Sequence, residues 1–139
     1  MNWITYALLS AVFAAATAIL AKIGIKGVDS NLATAIRTVV ILLFAWGIVF
    51  VQGSAKQIRS LSQISIFFLV LSGIATGLSW LFYFRALQLG PASRVAPIDK
   101  LSLVFTIILA AIFLREKLTL PIVLGTALMS IGAILTTLK

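Results

Sequence analysis

Five long apolar runs, with almost no charge inside them, limit what this chain can fold into. They are Trp3–Ala21, Leu32–Val51, Ile64–Phe84, Val95–Leu114 and Pro121–Leu138. A bilayer core takes about 20 residues of helix, so each run is close to one span. The runs are continuous and lack polar alternation, which argues against the strands of a barrel despite the Ile, Val and Phe content. Composition agrees, with 62% hydrophobic residues, 10% charged and a mean hydropathy of +1.20 over 139 residues. A small soluble domain has too little interior to hide that much apolar side chain. The expected fold is an all-α integral membrane protein with five transmembrane helices, a single domain over residues 1–139.

Local signals agree with helices. Asp29, Ser30 and Asn31 offer caps before the second run, and Ser60 or Ser62 before the third. Thr119 precedes Pro121, which falls in the first turn of the fifth helix, where a missing donor costs little. The connections Lys22–Asn31, Gln52–Gln63, Arg85–Arg94 and Arg115–Leu120 are too short for an extramembrane domain. Ala14–Ala18 has the small residues of a signal-peptide cleavage region, but Met1-Asn2-Trp3 carries no basic side chain. The first run is therefore expected to remain as a span.

Several function classes drop out. The chain has no cysteine and no histidine, so thiol chemistry, haem and the common zinc sites are not expected. Three carboxylates and no nucleophile–base constellation make an enzyme the least expected class, and no cofactor or metal is called for. The net charge of +8 is scattered between apolar runs rather than gathered on one face. That pattern fits anionic lipid head groups, not nucleic acid.

The second and fourth runs are the informative ones. Their uncharged parts, Thr38–Val51 and Leu101–Leu114, are about 14 residues each, or about 21 Å of helix against a core of roughly 30 Å. To span, each helix must take in its N-terminal flank. That draws Arg37 into the second helix and Asp99 with Lys100 into the fourth, at matched depth from the same face. A carboxylate and a guanidinium at one depth are natural partners, since either alone costs a few kcal/mol. Arg85 ends the third helix on that face. Arg37, Arg85, Asp99 and Lys100 together suggest a polar pocket for an anionic or zwitterionic substrate, with Asp99 the carboxylate available for proton coupling. The competing reading is that the basic side chains snorkel to the head groups while Asp99 caps or pairs locally. Pro97 is harmless if the fourth helix begins at Ser93; if it begins earlier, a carbonyl is freed, as in broken transporter helices.

Trp80 lies about a turn deeper than Tyr83 and Phe84 and is a candidate pocket residue beside Arg85. Tyr83 and Phe84 read as an interfacial aromatic belt. The small-residue faces Ala7–Ala11–Ala14–Ala18, Gly73–Gly77 and Gly125–Gly132 read as ordinary close packing within the bundle.

The stretch Trp80–Lys117, WLFYFRALQLGPASRVAPIDKLSLVFTIILAAIFLREK, resembles the EamA family of the drug/metabolite transporter superfamily. The matching features are the aromatic helix end followed by Ala86-Leu87 and Gly90, then Ala92, Val95-Ala96-Pro97 and the ending Leu114-x-Glu116. Ala35-Ile36-Arg37-Thr38 and Gly125 to Gly132-Ala133 resemble the start of the family's second helix and its fifth helix. The resemblance implies a transporter of small metabolites in a prokaryotic-type plasma membrane, driven by gradients. Typical members carry two five-helix repeats of inverted topology, and this chain resembles one. Transport at a repeat interface needs both halves.

Charge arithmetic bears on how the second half is supplied. Five spans put Lys56, Arg59, Arg115 and Lys117 on the N-terminal face, against Lys22, Lys26, Arg85, Arg94 and Lys139 on the other. So small a bias sets orientation weakly. Two copies inserted oppositely would rebuild an inverted pair, so the expected state is an antiparallel homodimer. A parallel dimer, or pairing with a separate homologue, is the competing model. Rival functions are a non-transporting subunit packed beside a larger partner, and a lipid-linked carrier or flippase whose basic face grips a phosphate.

Overall fold

The computed structural model describes residues 2–138, whose regular elements are all helices, with no strand among them. Met1 and Lys139, both used in the sequence reading, lie outside the described residues. The elements are α1 (Trp3–Gly24), α2 (Ser30–Val51), a 3-10 helix (Ser54–Ser60), α3 (Gln63–Leu89), α4 (Ala92–Asp99), α5 (Ser102–Phe113) and α6 (Leu120–Leu135). Four stretches are long and apolar enough to cross a membrane: Trp3–Gly24, Ser30–Val51, Gln63–Leu89 and the α4–α5 stretch Ala92–Phe113.

Two expected spans differ from expectation. The fourth is interrupted after Asp99 rather than continuous. The fifth, expected to reach Leu138, ends as α6 at Leu135 and is 16 residues long, about 24 Å of helix. Its end has a local cause. The Thr136 and Thr137 hydroxyls turn back onto the carbonyls of Ala133 and Ile134, at 2.7 and 2.6 Å, and such bonds compete with helical ones.

The helices fall into two compact units, Ala21–Gln88 and the segments flanking it. In the flanking unit, α4 and α5 pack on α6, where Ala133 is buried. In the Ala21–Gln88 unit the buried side chains are Ile25, Ser30, Thr34, Phe84 and Leu87. They come from the start of α2, the end of α3 and the turn before α2, so the packed part of this unit lies at one end of its helices. The Thr34 hydroxyl donates to the Ser30 carbonyl at 2.8 Å, which lets Thr34 be buried without a loose donor. Elsewhere the helices expose apolar side chains, with Phe44 71% and Val51 90% exposed. Water would not tolerate such faces over several helices, whereas lipid tails would.

Asp29 caps α2 as expected, its Oδ1 accepting the N–H groups of Asn31 and Leu32 at 2.9 and 3.1 Å. Of the two serines offered for α3, Ser62 is the one used, accepting the Ser65 N–H at 3.0 Å. The chain leaves α1 through Gly27 and enters the 3-10 helix through Gly53, with φ of 73° and 67°, values at which a Cβ is strained. Asp29→Ala is expected to destabilise the protein by about 1 kcal/mol, and Asp29→Asn by only a few tenths. The midpoint of thermal unfolding in detergent measures the difference.

Candidate functional site

Within the Ala21–Gln88 unit the start of α2 meets the end of α3, so these helices run antiparallel. Gln88 fastens the meeting point. Its Nε2 donates to the Val28 carbonyl at 3.0 Å, and its Oε1 accepts from Arg85 Nη1 at 2.6 Å. The Lys22 ammonium donates to the Leu87 carbonyl, placing a cation at the C-terminal end of the α3 dipole. An open groove of about 510 Å³ lies beside this junction, with Asp29, Ser30 and Asn31 on one side and Leu81, Phe82 and Arg85 on the other.

Arg37 sits deeper. Its Cα is about 10 Å along the axis from the start of α2, and Trp80 and Phe84 are about 13 and 8 Å from the end of α3. The last two are one helical turn apart and share a face of α3. The Arg37 guanidinium carbon lies over both rings, 4.5 Å from the centroid of Trp80 and 5.1 Å from that of Phe84. These distances are within the roughly 6 Å reach of cation–π attraction. A snorkelling arginine would extend past the helix end toward the head groups. This one is turned sideways onto α3, at the level of rings one to two turns inside.

The remaining sequence candidates are placed as follows. Trp80 is half-buried and lies under Arg37. Phe84 is not a belt residue. It is 3% exposed and forms the second face under the guanidinium. Arg85 is exposed on the groove and held by Gln88. Asp99 and Lys100 belong to the other unit and pair with each other at 3.4 Å, with side chains 36% and 60% exposed. Adjacent residues so open to solvent make a weak pair. Arg37 and Asp99 thus each have a partner of their own, aromatic for one and ammonium for the other.

The fork at Pro97 resolves toward a broken helix. α4 begins at Ala92, with Pro91 extended before it, so Pro97 lies beyond the first turn. The Ser93 carbonyl therefore lacks its usual donor. The chain then tightens through three-residue turns, Lys100 N–H to Pro97 O at 3.1 Å and Leu101 N–H to Ile98 O at 2.9 Å, before α5 starts at Ser102. Asp99 and Lys100 stand at that break. Pro97→Ala returns the donor and is expected to slow amide exchange across residues 97–101, with unfolding shifted up by about 1 to 3 kcal/mol.

Close packing within the bundle does not account for the glycine faces Gly73–Gly77 and Gly125–Gly132. A Cβ added at Gly73, Gly77, Gly125 or Gly132 meets no atom within 4 Å. Two contacts were not singled out from the sequence, Phe84 as a ring under Arg37 and Gln88 as the residue fastening α3 to the turn before α2. The available signal was their turn-by-turn spacing from Trp80 along α3.

A family model described as the EamA-like transporter family matches residues 1–138. The chain belongs to this family. A relative from a Sinorhizobium species, named "uncharacterized transporter in cobO 3′region", is 51% identical over 96% of this chain and 95% of its own length. An uncharacterized protein of Methanocaldococcus jannaschii is 30% identical over 70% of this chain and 77% of its own length. No solved structure matches the chain significantly. EamA membership and the four apolar stretches support an integral membrane transporter, and the family is one of transporters rather than enzymes.

Proposed function

We propose that this EamA chain is a secondary transporter of small metabolites in a prokaryotic-type plasma membrane, working as an inverted-topology homodimer of five-span protomers. The observation that carries the reading is the Arg37 guanidinium, kept one to two turns inside an apolar helix pair and turned onto Trp80 and Phe84. A charge so placed is retained for function more often than for stability. Arg37, Trp80 and Arg85 line the substrate path on the α2–α3 wall. Asp99 and Lys100 act at the helix break, Asp99 as the group that exchanges a proton for substrate.

The homodimer follows from length and charge. This chain aligns with 95% of the Sinorhizobium relative's own length, which supports a one-repeat form within the family. The open glycine positions leave room for a second copy to approach. α6 serves as the fifth span by drawing in the threonines that follow it.

Uptake by vesicles holding the purified protein, screened over small metabolites with the oligomeric state measured in the same detergent, tests the proposal. Flux of one compound class by a dimer supports it. A monomer with no flux, or a stoichiometric partner that co-purifies, rejects it. For the proton role, Asp99→Asn is expected to abolish the dependence of flux on a pH gradient while leaving exchange at equal pH. Unchanged gradient-driven flux would assign the proton elsewhere.

A further inference from the structure

We infer that the substrate is held by a single carboxylate, gripped by Arg37; this rests on the transport reading above. Aromatic faces attract a cation but offer no lone pair. A guanidinium carries five N–H donors along its edge. Among the described residues Arg37 makes no hydrogen bond and no ion pair; its guanidinium lies over the rings of Trp80 and Phe84, and Tyr83 is close enough to interact with it electrostatically. The charge is therefore held in place, while the donors along its edge make no hydrogen bond to another described side chain of the protomer. Donors at that depth need an acceptor.

Shape and charge select the acceptor. A planar carboxylate meets the edge of a guanidinium through two parallel hydrogen bonds, which a lysine ammonium cannot reproduce. One guanidinium balances one negative charge. The nearby groove adds no surplus positive charge, because Asp29 lines it together with Arg85. A phosphate dianion would keep one charge uncompensated, whereas a monocarboxylate would not. Trp80 and Phe84 are positioning residues. They restrict the rotation of the long arginine side chain, so its edge is presented in one direction.

The test uses the full-length protein in lipid nanodiscs and the side-chain NMR signal of Arg37, identified by its absence from Arg37→Lys. Acetate and benzoate are titrated against acetamide, benzamide and inorganic phosphate. The carboxylates are expected to shift the Arg37 signal and the amides to leave it unmoved. Binding of benzoate, read on the other resonances, should weaken by about tenfold or more in Arg37→Lys. Trp80→Leu should weaken it severalfold, and Trp80→Phe, which keeps a ring face, should recover most of that loss. Carboxylates that bind Arg37→Lys as well as wild type, or phosphate that binds more tightly than benzoate, overturn the inference. The outcomes separate from those of transport. Carboxylate binding without flux of any compound removes the transport reading and leaves this one. Flux of a substrate lacking a carboxylate, unchanged in Arg37→Lys, removes this one and leaves transport.

Discussion

Two variants locked in opposite orientations, each inactive alone, are expected to restore transport when made together. Orientation follows the lysines and arginines near the span ends. Exposed Lys56 and Arg59 lie in the 3-10 helix after α2, and exposed Lys26 and Arg94 lie on the opposite side of the expected topology. Lys56→Gln with Arg59→Gln tips the balance one way. Lys26→Gln with Arg94→Gln, together with Gln52→Lys and Gln63→Lys on the N-terminal face, tips it the other way, to six basic residues against three. None of the six substituted residues is among those assigned to the substrate path. Each variant should insert in one orientation, shown by one-sided labelling of a cysteine placed at Gln57. Alone, each supplies only one kind of repeat, and flux should fall to background. Co-expressed, the two rebuild the inverted pair and should recover at least about half of wild-type flux, since only mixed pairs are complete. Full activity from either variant alone would rule out the inverted homodimer.

Arg37→Met is expected to separate stability from function in opposite directions. Methionine has similar reach and no charge, and it packs on Trp80 and Phe84 without asking for an acceptor. An arginine within a membrane helix costs about 2.5 to 3.5 kcal/mol at the centre and less toward the ends. Two ring contacts return about 0.5 to 2 kcal/mol each. These sums nearly cancel, so the thermal midpoint of Arg37→Met should stay within about 1 kcal/mol of wild type or rise. Flux should drop to background. A variant that unfolds instead would make the Arg37–aromatic stack a structural fixture, with α2 and α3 depending on it.

The legibility of this protein differs from residue to residue. The helical class and the start of α2 at Asp29 follow from one-dimensional quantities, and so does the expectation that Arg37 lies well inside its helix. Runs of apolar side chain, cap chemistry and rise per residue do not depend on what a helix packs against. The EamA resemblance lay in the block from Trp80 to Glu116, and the family match to residues 1–138 bears it out. The interruption of the fourth run was only half legible. Pro97 signalled it, but its consequence depended on where α4 begins, and Pro91 set that by remaining extended.

The partners of the charged residues were only partly legible: a local pair for Asp99 was one of two readings, whereas the rings under Arg37 were not foreseen. Counting residues along the two runs leads one to expect Arg37 and Asp99 on one level, but level does not say which way a side chain leaves its helix. Apolar pattern and length alone established that this chain is a set of membrane helices carrying a guanidinium within one of them, because hydrocarbon admits backbone only when its hydrogen bonds close inside each segment. Tertiary structure decided that the guanidinium turns onto Trp80 and Phe84, that Gln88 fastens α3 to the turn before α2, and that Asp99 keeps company with Lys100. Rotation about a helix axis is fixed by side chains from other parts of the chain, and that contact information exists only once the helices have met.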